Sequence, residues 1–104
     1  MNRKQMLDCV RKQYSKCMDI MKRKNHDYAG SEGNDPFKNL KGVDNMGICD
    51  VETGIMVRLT DKFQRLANFL KCGRLMVNDE NVSDTINDFI NYLALLNTYI
   101  ENKK

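Results

Sequence analysis

Apolar side chains recur at steps of three and four along three stretches of this chain, and that rhythm limits the fold more than any other feature. In the first stretch Met6, Leu7, Val10, Tyr14, Cys17, Met18 and Met21 fall on one side of a helix spanning about residues 3–24. Arg3, Lys4, Arg11, Lys12, Lys16, Lys22 and Arg23 are left mainly to the other sides. In the second, Ile55, Leu59, Phe63, Leu66 and Leu70 mark a helix over about 53–71, opened by Asp50 or Thr53 and stopped at Gly73. In the third, Val82, Ile86, Phe89, Leu93, Leu96 and Ile100 form the expected core face of a helix over about 79–101, with Asn78 as its N-cap. No stretch alternates with the period of a half-buried strand. The expected fold is all-α, a single domain of 1–104 built as a bundle of three long helices.

Between the first two helices lies a 26-residue connection, 25–50, holding the only proline and four of the six glycines. Links between helices are usually far shorter, and a longer one is functional, disordered or partly helical. Tyr28, Phe37, Leu40, Val43, Met46 and Ile48 offer it apolar anchors, and "DPFKNL" suits a short helix with Asp35 as N-cap and Pro36 at the first position.

No apolar run approaches the roughly 20 residues of a membrane span. The opening MNRKQMLDCVRKQ is too charged for the core of a signal peptide. A cytoplasmic protein is therefore expected. Its four cysteines lack zinc spacing and are expected to be reduced thiols, mostly packed as small apolar groups. Net charge is +3, yet residues 1–30 carry eight Lys/Arg against three Asp. Such a segment attracts phosphates or simply stays solvated. Duplex nucleic acid is not expected as a partner, because no zinc finger, RNA-recognition signature or phosphate-cradling glycine loop is present.

The chemistry lies on polar faces beside the apolar stripes. On the third helix Glu80, Asp84 and Asp88 sit one turn apart, with Asn87 and Asn91 nearby. Like charges at that spacing cost a helix a few tenths of a kcal/mol each, so a cation should offset them. Mg²⁺, which prefers carboxylate oxygens, would do so. So would Arg58, Lys62 and Arg65, which share a polar stripe with Asp61 on the second helix. If the two helices pack antiparallel, these stripes border one cleft. It would be either an ion-pair network, or a site where acids hold Mg²⁺ and Arg and Lys hold phosphate. His26, the only histidine, reads as a surface or packed residue, or as a ligand contact. Tyr28 and Phe37 either stack on a base or pin the loop to the core.

"KNHDYAG…DPFKNL", "GIMVRLTDKFQRLANFL" and "VNDENVSDTINDFINYLALL", in that order, resemble a small all-helical domain common in phages and associated with nucleotide modification. That domain is similar in turn to the MazG-like, all-α nucleoside triphosphate pyrophosphohydrolases. The resemblance covers about Lys24 to Leu96. It implies a homo-oligomer and a nucleotide site made by facing helices. By position, Asp61, Glu80, Asp84 and Asp88 would be the metal side. Arg58, Lys62 and Arg65 would be the phosphate side, with the Asn25–Asn39 loop and Asn91 near the base or sugar. The MazG-like hydrolases hold Mg²⁺ with an E-x-x-E pair on one helix and an E-x-x-D pair on another. Here the third helix spaces its acids by four, and the second has Asp61 but no acid at Arg58 or Gln64. The resemblance therefore implies a binder that sequesters a nucleotide or cyclic nucleotide signal, in the manner of phage anti-defence sponges. The alternatives are a Mg²⁺-dependent pyrophosphohydrolase and a structural interaction module.

Overall fold

A computed structural model describes residues 1–29, 35–73 and 81–103, with only the backbone described at 27–29. The described residues are all-α: α1 (Arg3–Ala29), α2 (Gly42–Asn45), α3 (Val51–Cys72) and α4 (Val82–Asn102). None of the four helices is long and apolar enough to cross a membrane.

Local chemistry sets the helix ends. Asp50 lies in extended backbone and its carboxylate accepts the Thr53 N–H at 2.7 Å, satisfying one orphan donor of α3. At the other end Gly73 takes φ +77°, a left-handed conformation that favours glycine, and its N–H reaches the Phe69 carbonyl. The third long helix starts later than the sequence suggests. Its N-cap is Asn81, not Asn78, because Asn81 and Asp84 make a reciprocal capping box: each side chain accepts the other's backbone N–H. In turn α1 runs five residues past the expected Lys24 and takes in His26. The "DPFKNL" segment forms turns, and the helix lies just beyond it as α2. Asp35 still caps the turn by accepting from the Phe37 N–H, and it pairs with Lys41 at 2.8 Å.

α3 and α4 pack antiparallel, so Glu52 at the start of one meets Lys103 after the end of the other at 2.6 Å. Their shared core is Leu40, Val51, Ile55 and Leu59, with Phe89, Tyr92, Leu95, Leu96 and Tyr99 packed against it. α1 rests on α4, and α2 on α3. Phe37 and Tyr99 meet edge to face, ring centroids 5.4 Å apart, which anchors the long connection. Met46 and Ile48, expected as further anchors, are exposed, because the chain turns outward after α2.

The stripes expected to form the core are buried only in part. On α3 Ile55 and Leu59 are buried, whereas Phe63 and Leu70 are exposed. On α4 the buried residues are Thr85, Asn87 and Asn91, while Leu93 and Ile100 are exposed. On α1 Cys17 alone is fully buried, and Met6, Leu7, Tyr14 and Met18 are exposed. The reason is geometric: α1 covers the amide-bearing side of α4, about half a turn of the wheel from its apolar stripe. All four cysteines are free thiols, but Cys9 and Cys72 are exposed rather than packed.

Gly54 lets α2 sit close on α3. A Cβ there would meet the Val43 Cγ2 methyl at 2.7 Å, and a β-branched side chain cannot easily turn aside. Alanine would gain about 1 kcal/mol of helix propensity, and overpacking of this kind costs about 1–3 kcal/mol. Gly54→Ala should therefore be destabilising on balance. Adding Val43→Ala should recover part of that loss, giving a favourable coupling in a denaturant double-mutant cycle.

Candidate functional site

The chemistry gathers where α1, α3 and α4 meet, and Asp88 stands at its centre. One carboxylate oxygen accepts from Lys24 of α1 at 2.8 Å, and the other accepts from Lys62 of α3 at 3.0 Å. The side chains of Asp88 and Lys62 are largely covered, while that of Lys24 is half exposed. Burial pushes the Asp88 carboxyl pKa upward and is its largest single influence. The hydrogen bonds and charges of Lys24 and Lys62 outweigh it together, so the carboxyl titrates below its ordinary range.

A network of amides lies one turn away. Asn87 Oδ1 accepts from the Cys17 thiol at 3.3 Å and from Gln13 Nε2 at 3.4 Å. Asn91 Nδ2 donates to the Cys17 carbonyl at 3.0 Å. These bonds satisfy two buried amides that would otherwise cost a few kcal/mol to bury. They also enclose the Cys17 thiol, whose pKa is raised first by that burial and then by the Asp88 charge. One buried polar atom among the described residues, Thr85 Oγ1, has no partner.

Beside Asp88 a cleft of about 60 Å³ opens. Its polar lining comes from Lys24, Asn25, Asn39, Arg58, Asp88 and Asn91, and its apolar lining from Met21, Pro36, Leu40, Tyr92 and Leu95. Asn25 Nδ2 donates to the Pro36 carbonyl at 2.7 Å, so the end of α1 holds the turn that forms one wall. Arg58 lies over the Tyr92 ring, 5.7 Å from its centroid, and donates from Nη1 to the Tyr92 hydroxyl at 3.3 Å. The guanidinium is thus held at the cleft by an aromatic rather than by an acid.

The residues singled out from sequence are only partly brought together. Arg58, Asp88 and Asn91 share the cleft, and Lys62 reaches it through Asp88. Of the expected pairing between the cationic stripe and the acids, Lys62 with Asp88 is formed. Asp84 instead turns back to cap its own helix, and Arg58 goes to Tyr92. Arg65 is half-buried on α3, and Asp61 is exposed. Phe37 packs on Tyr99 and is not in the cleft lining; His26 is exposed in the last turn of α1. Glu80 and the Tyr28 side chain lie outside the described residues.

Among the described residues, no three acids, histidines or cysteines gather as a metal-binding group. Both Asp88 oxygens already hold lysines, so that donor set suits an ion-pair centre better than a Mg²⁺ ion as it stands.

Lys24 is not among the candidate site residues read from the sequence, and Asn87 is named there only as a neighbour of the acids. Lys24 looks like any of its basic neighbours until α1 is placed on α4. Asn87 and Asn91, two amides one turn apart beside an apolar stripe, carried a signal that pointed to a helix contact.

The pH dependence follows from Asp88. Its folded pKa is depressed, so its stabilisation is present above the ordinary value of 3.8 and is lost as pH falls through the lower folded value. Asp88→Asn should cost about 1–2 kcal/mol at pH 7, between surface-pair and buried-pair values. The gap between the two proteins in urea melts should shrink steadily below pH 4.

No protein-family model, curated protein or solved structure matches the chain.

Proposed function

We propose that the chain is a nucleotide-binding protein, acting as a homo-oligomeric helical bundle, that holds the phosphate end of a nucleotide or cyclic nucleotide without turning it over. The observation that carries this reading is the convergence of Lys24 from α1 and Arg58 from α3 on one cleft, with the Asn25, Asn39 and Asn91 amides around it. Guanidinium and ammonium groups with amide donors suit phosphate oxygens. Tyr92, Pro36 and Leu40 give the same cleft an apolar side for a sugar or base.

The cleft volume limits what enters. Sites that enclose a drug-sized ligand span roughly 300–1,000 Å³, against about 60 Å³ here. A phosphate group fits, and the rest of the ligand lies along the rim. Asp88 keeps the site from being permanently over-charged. A phosphate arriving at Lys24 replaces one anion with another, while Lys62 keeps the carboxylate paired.

Sequestration rather than hydrolysis is supported by the use of the acids. Attack on a phosphoanhydride by a metal-activated water needs several carboxylates to hold ions and orient the water. Asp84 is engaged as a cap and Asp88 by two lysines. Mg²⁺-dependent pyrophosphohydrolysis is the second reading, favoured by Asp84 and Asp88 standing one turn apart on α4; Asp61, Glu80, Asp84 and Asp88 would then supply the metal side.

Incubation with a panel of nucleoside triphosphates and cyclic oligonucleotides in Mg²⁺, followed by chromatography, separates the two. The expected result is a thermal shift with at least one ligand and its recovery intact after heat denaturation. New products would establish hydrolysis instead. No shift with any member of the panel would leave a purely structural role. Arg58→Ala and Lys24→Ala should each weaken the ligand by about 1.5–3 kcal/mol per lost charged hydrogen bond. Lys103→Ala, at the C-terminal end of α4 and outside the cleft lining, should leave affinity unchanged.

A further inference from the structure

Helix α1 shows solvent a side that is apolar and basic at once. Gln13, Cys17 and Lys24 hold the helix to α4. About a third of a turn round the helical wheel from them stand Leu7, Tyr14 and Met18, within about 40° of one another. These three are 47%, 61% and 52% exposed. Arg3 flanks the stripe on one side, and Lys4, Arg11 and Lys22 flank it on the other, all of them exposed. The seven side chains leave α1 within about 100°, and no acid of the helix falls in that arc. Asp8 lies just outside it and pairs with Arg11 at 2.8 Å, and Asp19 lies further round.

Apolar and cationic groups side by side complement a surface that is apolar beneath and anionic on top, which is the profile of an anionic lipid layer. Crossing a bilayer takes roughly 20 apolar residues, whereas lying on one takes a single amphipathic side. Lysine and arginine stems can lie along the apolar layer while their charged ends stay with the headgroups. A tyrosine, with an apolar ring and a polar hydroxyl, suits the same level. A protein groove that accepts an amphipathic helix encloses more of it. α1 cannot be enclosed in that way, because the Asn87 and Asn91 bonds keep its inner side on α4. A lipid surface asks for one side only, and for no matched shape.

We infer that this side of α1 docks the domain on an anionic lipid surface. Leu7, Tyr14 and Met18 enter the headgroup layer, and Arg3, Lys4, Arg11 and Lys22 meet the lipid phosphates and carboxylates. The helix is already formed in the free chain, so docking orders side chains but not backbone. The contact is reversible and salt-sensitive, since the apolar stripe is short and the cations supply the rest.

No nucleotide enters the test, so its outcome is separate from that of the cleft. The full chain should sediment with phosphatidylcholine vesicles holding about 30% phosphatidylserine and stay in solution with phosphatidylcholine alone. Raising salt from about 50 to about 500 mM should release most of it. Lys4→Gln combined with Lys22→Gln should lower the partition coefficient on the order of tenfold. The sequence holds no tryptophan, so a substituted one reports on its own position. The emission of Met18→Trp should shift to the blue on the anionic vesicles, and that of Phe63→Trp, exposed on α3, should not. An unshifted Met18→Trp, a shift at Phe63→Trp instead, or sedimentation with both kinds of vesicle alike or with neither would overturn the inference. So would binding to polyglutamate but not to the vesicles, which would assign the face to an acidic protein.

Discussion

Asp88 is the junction on which the arrangement depends. It sits on α4, yet its two oxygens bind lysines from α1 and α3. A single carboxylate therefore fixes the distance between two helices that each pack on a third. It also sets where Lys24 stands at the cleft mouth. Without a paired acid at this point, the covered Lys62 and the half-exposed Lys24 would repel across the junction and weaken the seat of α1 on α4. Helix packing and the setting of the cleft meet in one residue here. That arrangement lets a small domain hold positive charge in a partly dry place, because the counter-charge is built in.

Much of the fold was legible in the sequence, because helix periodicity and capping chemistry are local. The three long helices, the Asp50 cap and the Gly73 stop follow from residues within a few positions of each other. Two ends moved: α4 starts at Asn81, where Asn81 and Asp84 close a local capping box, and α1 continues past Lys24 through His26. What periodicity could not decide was which side of each helix meets which neighbour. An apolar stripe reads as core whether it faces the same chain or another, so Leu93 and Phe63 looked equivalent to Ile55. Conversely, Asn91 looked like a site residue and is mainly a bond to the backbone of α1. The candidate site was half legible: Arg58, Lys62 and Asp88 were named from charge spacing. Lys24 and Tyr92, which complete the geometry, depend on contacts 64 and 34 residues apart in sequence.

The exposed stripes and the buried amides belong to one pattern. On α4 the amide-bearing side is turned inward to α1, while Leu93 and Ile100 of the apolar stripe are left exposed. For a chain acting alone this inverts the usual order. Packing α1 on the amide side keeps the cations of α1 near Asp88, which an apolar contact would not do. The cost is a specific, directional contact in place of a tolerant one.

That directionality bears on how the sequence can drift. Across the α1–α4 contact Gln13 and the Cys17 thiol donate to Asn87, and Asn91 donates to the Cys17 carbonyl. Replacing Asn87 alone strands the Cys17 thiol and the Gln13 amide, whereas exchanging these three side chains together for apolar groups of similar shape would be nearly neutral. Single substitutions at Asn87 are therefore expected to be purged even where the combined change would be harmless. The lineage of such a domain should keep the set intact or exchange it wholesale, with few intermediates between.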